Sequence, residues 1–365
     1  MPHNRRMALE FTAAVRRIPA YPAAAGYGHE GSLVRLASNE SPVRPLPEVI
    51  AAASAAVADV NRYPDPTNSR LRAALSGRYG VPAENIAVGN GSCELLMTAC
   101  DALLEPGAEV VYGWPSFSIY PQLAASAGAS AIEVPLDGEE RLDLDAMARE
   151  ITVATRLVIA CNPNNPTSTA VALESLAAFA EKVPPSVCLF FDEAYCDFNL
   201  LADPDATVDL LAKHPNLVLL RTFSKVHGLA GLRVGFALCG SRELPDALTQ
   251  LRQPFFLNAA AGAAAIESLK HLDEIARRVE RVAVARAQVI EGLRDLGLRP
   301  ADSQANFCWF EVGEGREEAQ IVDGLARAGV LVRAGGALGR DGALRVTFGT
   351  PRENERFLEA LATLL

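Results

Sequence analysis

VCLFFDEAY (187–195) and NLVLLRTFSKVHGLAGLRVGFALCG (216–240) decide the fold. Each opens as a nearly continuous apolar run of strand length and ends abruptly in polar or small residues. A run without apolar–polar alternation belongs to a strand buried on both faces, the habit of parallel sheets. Working outward, AEVVYG (108–113), SAIEVPL (130–136) and TRLVIAC (155–161) repeat the pattern. Helical segments at 117–127, 143–149, 172–182 and 207–213 separate them. This rhythm predicts an α/β fold with a mostly parallel sheet flanked by helices. Upstream, a short strand at 86–88 runs into GNGSCE (89–94), and Pro-bounded helices cover 47–60 and 69–80.

After about residue 255 the pattern changes. Residues 259–296 form a long helical region of one or two helices. FCWFEV (307–312), GVLVRAG (329–335) and LRVTFG (344–349) then supply three short strands, with helices at 317–328 and 352–364. The predicted organisation is an N-terminal arm over 1–45, a large ligand-binding domain over 46–258, and a smaller C-terminal α/β domain over 259–365. The arm, with a short amphipathic helix at 8–18, is expected to pack with the small domain.

The chain has 365 residues, half of them apolar, and a formal net charge of −10. That argues against nucleic-acid binding, whose usual mark is a basic stripe. It leaves an anionic substrate open, because a few arginines can dominate a local field. The seven cysteines are scattered without zinc-ligand spacing and suit a reducing compartment. No segment has the length and apolarity to span a membrane, and the start lacks a continuous signal-peptide core. A cytoplasmic protein is expected.

There are only four lysines, Lys182, Lys213, Lys225 and Lys270. Lys225 alone directly follows an apolar strand, at the sheet edge where open α/β folds place ligands. There it could form an imine, hold a phosphate as a point charge, or be structural. Asp192 ends another apolar strand, where a carboxylate is costly to bury without a partner. It could pair with a protonated ring nitrogen, with the Tyr195 phenol and the Asn165 amide beside the same ring. Gly91, Ser92 and Cys93 join a strand to a helix and could cradle a phosphate with their amides. Ser224 and Arg233 could add a hydroxyl and a fork-shaped cation. Trp114, Phe117 and Tyr120 form either a packed cluster or a stacking face for a flat cofactor.

In order and spacing, SNESP (38–42), RYPD (62–65), GNGSCE, WPSF (114–117), NPNNPT (162–167), DEAY (192–195), SKVHGLAGLRVG (224–235) and LRVTFGT (344–350) resemble the aspartate-aminotransferase superfamily of pyridoxal-phosphate enzymes, fold type I. Within it they are most similar to the histidinol-phosphate aminotransferases. The resemblance implies a seven-stranded sheet, pyridoxal 5'-phosphate as cofactor, and a homodimer with composite active sites. It implies that Lys225 forms the Schiff base and later moves the substrate proton, and that Asp192 holds the pyridine nitrogen protonated. Tyr195 and Asn165 would bond the cofactor's phenolic oxygen, and Phe117 would stack on its ring. The Gly91–Cys93 turn, Ser224 and Arg233 would hold its phosphate, joined by Tyr63 from the other subunit. Arg345 would clamp a substrate carboxylate. Tyr21, Asn39 and Arg333 would line the substrate side, with Tyr21 and Arg333 toward a substrate phosphate.

The chain departs from the family pattern at Cys93, often aspartate, at Ser168 and Arg44, commonly glycine, and at His227, more often aromatic. The expected reaction is ping-pong transamination between L-histidinol phosphate and 2-oxoglutarate, in histidine biosynthesis. The alternative is an aromatic amino-acid aminotransferase using 2-oxoglutarate. A related decarboxylase or lyase, or a binding protein with a relic site, would be a further departure.

Overall fold

The computed structural model describes residues 33–313 and 315–365, together with Leu9, Glu10, Val15, Arg16 and Ile18. The expected helix over 8–18 falls largely outside the described residues. Among the described residues twelve strands follow in chain order. They are β1 (Val34–Arg35), β2 (Ile86–Gly89), β3 (Glu109–Trp114), β4 (Ser130–Pro135), β5 (Thr155–Cys161), β6 (Cys188–Asp192), β7 (Leu217–Thr222), β8 (Gly235–Cys239), β9 (Phe307–Glu311), β10 (Val330–Leu331), β11 (Arg333–Ala334) and β12 (Ala343–Thr347).

The apolar runs form one seven-stranded sheet in the order β2-β8-β7-β6-β5-β3-β4. Strands β3 to β7 pair in parallel, and β8 runs antiparallel to both β2 and β7. Both faces are covered, as the unbroken apolar character requires. Leu189, Phe191, Leu217 and Leu219 point into one core. Phe190, Val218 and Leu220 point into the other. The carboxyl ends of the central strands lie side by side, with Cys161 opposite Asp192 and Asp192 opposite Leu220. The sheet therefore delivers Asp192 and the segment after β7 to one edge.

The second unit is a β11-β12-β9 antiparallel sheet. The helices Leu272–Asp295 and Pro351–Ala362 pack together over its core. GVLVRAG makes two strands where the sequence predicts one. Val330–Leu331 pairs in parallel with β1, while Arg333–Ala334 pairs with β12. Val332 lies between, so one apolar run serves two sheets. Pairing with β1 ties residues 34–35 to this unit.

One helical expectation needs correction, and another resolves into the second of its two forms. Residues 206–212 form 3-10 turns, and the Thr207 hydroxyl there is tied to the buried Glu193 carboxylate. The region 259–296 divides into Ala259–Ser268 and Leu272–Asp295, with Glu267 drawing Lys270 and His271 into the break. The first of these helices buries Ala261, Ala264 and Ala265 in a core shared with the large sheet and packs on the helix Pro47–Val57. We therefore propose that the passage between the two units comes after this helix and not at 258/259. Among the described residues no helix is long and apolar enough to cross a membrane.

Candidate active site

A cavity of about 400 Å³ opens where the central strands end and the small unit meets them. It brings together Asn39, Ser92, Cys93, Phe117, Asn165, Asp192, Tyr195, Ser224, Lys225, Arg233, Arg333 and Arg345 from segments far apart in sequence. Gly91 sits at its rim, against Arg233.

DEAY ends β6 with two adjacent carboxylates, and the pleat sends them to opposite sides. Glu193 accepts Arg221 Nε at 2.8 Å and the Thr207 hydroxyl at 2.5 Å, all three buried. Asp192 faces the cavity. Its Oδ2 accepts the Tyr120 phenol at 2.7 Å and its Oδ1 accepts the Ala194 amide at 3.2 Å. Burial pushes its carboxyl up to about 6. A group so placed is stabilised by a cation brought next to it. Sequence reasoning noted Tyr120 only within an aromatic cluster; the hydrogen bond depends on a fold that packs helix Tyr120–Ala127 against β3 and β4 and lets its first residue reach the end of β6.

Lys225 follows β7 through Phe223 and Ser224. Its Nζ donates to the Ser38 carbonyl at 3.2 Å and lies 5.4 Å from the centre of the Tyr195 ring. Burial, then the Arg345 guanidinium, push the amine down to about 7. An amine depressed this far is substantially neutral, and so nucleophilic, near neutral pH.

A third group forms an anion cradle. Gly91, at φ 76°, precedes the twelve-residue helix Ser92–Leu103. A Cβ at Gly91 would lie 2.5 Å from Arg233 Nη2, so the guanidinium occupies the space that only glycine leaves. Arg233, itself left-handed at φ 57°, also donates to Ser224 Oγ at 3.4 Å and to the Ala230 carbonyl. A helix N-terminus, a hydroxyl and a guanidinium converging this way suit a phosphate.

Arg345 Nη1 donates to Asn165 Oδ1 at 2.5 Å and its Nη2 to the Ala37 carbonyl at 2.6 Å. That bond leaves Nδ2 as the donor end of the amide. Asn39 donates from Nδ2 to the Tyr195 hydroxyl at 3.0 Å and takes the Thr347 hydroxyl on Oδ1. Arg333 is the cross-strand partner of Arg345, and both are buried. Phe117 meets Tyr120 edge-on at 5.7 Å. Among the lining residues missed from sequence are Glu40 and Leu338.

The structure does not bring every expected residue here. Tyr63 is 81% exposed, away from the cavity, and stacks on Phe255 at 4.5 Å. Tyr21 lies outside the described residues. Of the departures, Ser168 takes a left-handed φ of 62° in place of the usual glycine. His227 is buried against Phe223 and bonds Ser268, filling an aromatic position with a ring of similar size. The Arg44 carbonyl accepts Arg278.

The model of the family described as aminotransferase class I and II matches residues 32–361. The chain belongs to that family. This aminotransferase uses pyridoxal 5'-phosphate, and the cradle, the buried carboxylate and the depressed lysine fit its phosphate, ring nitrogen and aldehyde. It is 43% identical over 354 residues to an aromatic amino acid aminotransferase of Thermobifida fusca, covering 96% of each chain. It is 42% identical over 340 residues to histidinol-phosphate aminotransferase 1 of Cupriavidus pinatubonensis, covering 92% of this chain and 89% of that one. Its fold matches the crystal structure of histidinol-phosphate aminotransferase from Sinorhizobium meliloti in complex with pyridoxal-5'-phosphate. That match has a TM-score of 0.87 and 27% identity, over 98% of both chains.

Proposed function

We propose that this aminotransferase moves the amino group of an aromatic amino acid to 2-oxoglutarate, in place of the histidinol phosphate expected from the sequence. The observation that carries the reading is the wall of the cavity beside the two arginines. Leu338 on the small unit offers apolar surface in the cavity that also holds Arg345, and Phe117 on the large unit faces the same cavity from the side where it would stack on the cofactor ring. An amino acid with an α-carboxylate and a flat apolar side chain suits that combination, whereas histidinol phosphate has no α-carboxylate. The likeness to aromatic aminotransferases supports the same choice.

When bound, the cofactor supplies an electron sink for the α-carbon of the donor. This chain's residues do the rest. Asp192 holds the proton on the ring nitrogen, and the Tyr120 and Ala194 hydrogen bonds fix its carboxylate. The Gly91–Cys93 turn, Ser224 and Arg233 take the phosphate, and Asn165 Nδ2 with the Tyr195 phenol takes the ring oxygen. Arg345 orients the substrate carboxylate, and Lys225 Nζ takes and returns the α-proton. Tyr63 completes the cradle of a second copy, which makes the working unit a homodimer.

A second reading rests on Arg333. A further buried guanidinium beside Arg345 suits a distal phosphate, and hence histidinol phosphate. kcat/KM for phenylalanine, tyrosine and histidinol phosphate, each with 2-oxoglutarate, decides between them. An aromatic donor should lead by at least about tenfold; a lead for histidinol phosphate would overturn the proposal.

A further inference from the structure

The turn over 335–342 joins β11 to β12 and so connects Arg333 to Arg345. Its base is held within the small unit, where the Glu318 carboxylate accepts the amides of Gly336 at 3.1 Å and Gly342 at 2.7 Å. Its tip is fastened to the large unit. Arg340 forms an ion pair with Glu140. Gly339, at φ 102°, lies against the Trp114 indole, and a Cβ there would come within 2.7 Å of Trp114 Cζ2. One residue earlier, Leu338 is buried against Trp309 and Ala343 and lines the cavity that holds Lys225. Leu338 is the sole aliphatic side chain larger than alanine on that lining among the described residues.

Glu140 connects this turn to the cofactor side. It adopts a left-handed φ of 64°. Its carbonyl accepts the hydroxyls of Thr167 at 2.9 Å and Thr169 at 2.5 Å, in the loop that presents Asn165. Asn165 is in turn bonded by Arg345. The contacts close a circuit: turn tip to Glu140, Glu140 to the Asn165 loop, Asn165 to Arg345, and Arg345 back along β12 to the turn.

We infer that the 335–342 turn is the specificity element of the site. Leu338 contacts the donor's side chain, and the Glu140–Arg340 pair is the positioning device that keeps Leu338 in the cavity. The inference rests on the aromatic-donor reading. The physical ground is the chemistry of the lining. Its other groups are mainly polar and suited to the cofactor or to a carboxylate. An aromatic donor gains over a short polar one only where it displaces water from apolar surface, and on the small unit Leu338 supplies that surface. The Glu140 pair spans the gap between the units, so it sets how far Leu338 reaches without touching the reacting atoms.

The test uses holoenzyme and single half-reactions followed by cofactor absorbance, with L-phenylalanine and with L-glutamate. Leu338→Ala should lower kcat/KM for phenylalanine about tenfold more than for glutamate. Leu338→Met, of nearly the same volume, should keep the wild-type ratio, which separates a lost contact from a damaged fold. Glu140→Gln should raise KM for phenylalanine severalfold with a smaller change in kcat. Adding Arg340→Gln to it should cost little more, because the two residues act as one pair. An equal fall for both substrates in Leu338→Ala, or additive effects at Glu140 and Arg340, overturns the inference. The aromatic assignment itself is judged on the wild-type donor ranking alone, so the two can fail separately.

Discussion

The Tyr120 hydroxyl donates to Asp192 Oδ2 at 2.7 Å, and both side chains are buried. The phenol supports the charged form of a carboxylate that burial alone would neutralise. Because Asp192 sits near 6, its charge is lost as pH falls through that value, and cofactor affinity should fall with it. In Tyr120→Phe the carboxyl pKa rises further, so the loss should begin at higher pH. One hydrogen bond to a charged group is worth about 1.5–3 kcal/mol. The cofactor Kd should therefore rise about tenfold or more near neutrality, measured by absorbance between pH 5.5 and 8.5. A Kd matching wild type across that range would reduce Tyr120 to packing.

Lys225 should be the residue covalently linked to the cofactor. Borohydride reduction of the holoenzyme and peptide mapping should place the label there and leave Lys182, Lys213 and Lys270 unlabelled. The amine lies near 7, so the rate of cofactor capture by the apoprotein should climb with pH and level off above about 8. A rate still climbing beyond pH 10 would show an ordinary exposed lysine.

The sheet was legible because burial on both faces leaves an unbroken apolar run, and β5, β6 and β7 each show one. The break at Val332 was not legible. Residues 329–335 read as one strand, and only the approach of residues 34–35 divides them between two sheets. Lys225, Asp192 and the Gly91 turn stood out because each ends or closely follows a strand. Leu338 did not, and Tyr120 was read only as part of an aromatic cluster, since a leucine near glycines and a tyrosine in a helix carry no local sign of what they touch. Arg333 and Arg345 were expected on neighbouring strands and are register partners, because a short hairpin leaves little other choice.

His227 should shape the acid limb of stability. Burial first, then Arg278, push its imidazole down to about 3. The native state holds it neutral while the unfolded chain takes a proton below about 6.5. Unfolding is thus favoured as pH falls from about 6.5 toward 3, and this contribution to stability is lost across that window. His227→Gln keeps a polar partner for Ser268 but does not titrate. Its Tm should decline less steeply than wild type between pH 6.5 and 4. Parallel Tm curves would mean that the ring is protonated without cost.

Tyr63 is the residue whose proposed role needs a second chain. It lies outside the cavity that holds Lys225 in its own copy, and it is, like Val60, Met97 and Leu251, a large apolar residue left exposed. Its ring is already ordered by stacking on Phe255, whose own φ is 60°. A side chain held rigid yet outward has little to gain in a monomer, because its apolar face stays in water. If it reaches the cradle of the other subunit, lesions in different chains will combine in a definite way. In a heterodimer of one Lys225→Ala chain and one Tyr63→Phe chain, the first site loses both groups. The second site keeps Lys225 from its own chain and Tyr63 from its partner, so it is whole. Purified heterodimer should then show about half the wild-type kcat/KM, with both homodimers much lower, as expected for composite sites whose defects segregate. Were Tyr63 to act within its own chain, the surviving site would carry the Tyr63→Phe defect, and the heterodimer would reach only half of that homodimer's activity. The two outcomes differ by the full cost of losing one phosphate contact, about 1.5–3 kcal/mol, roughly tenfold or more in rate.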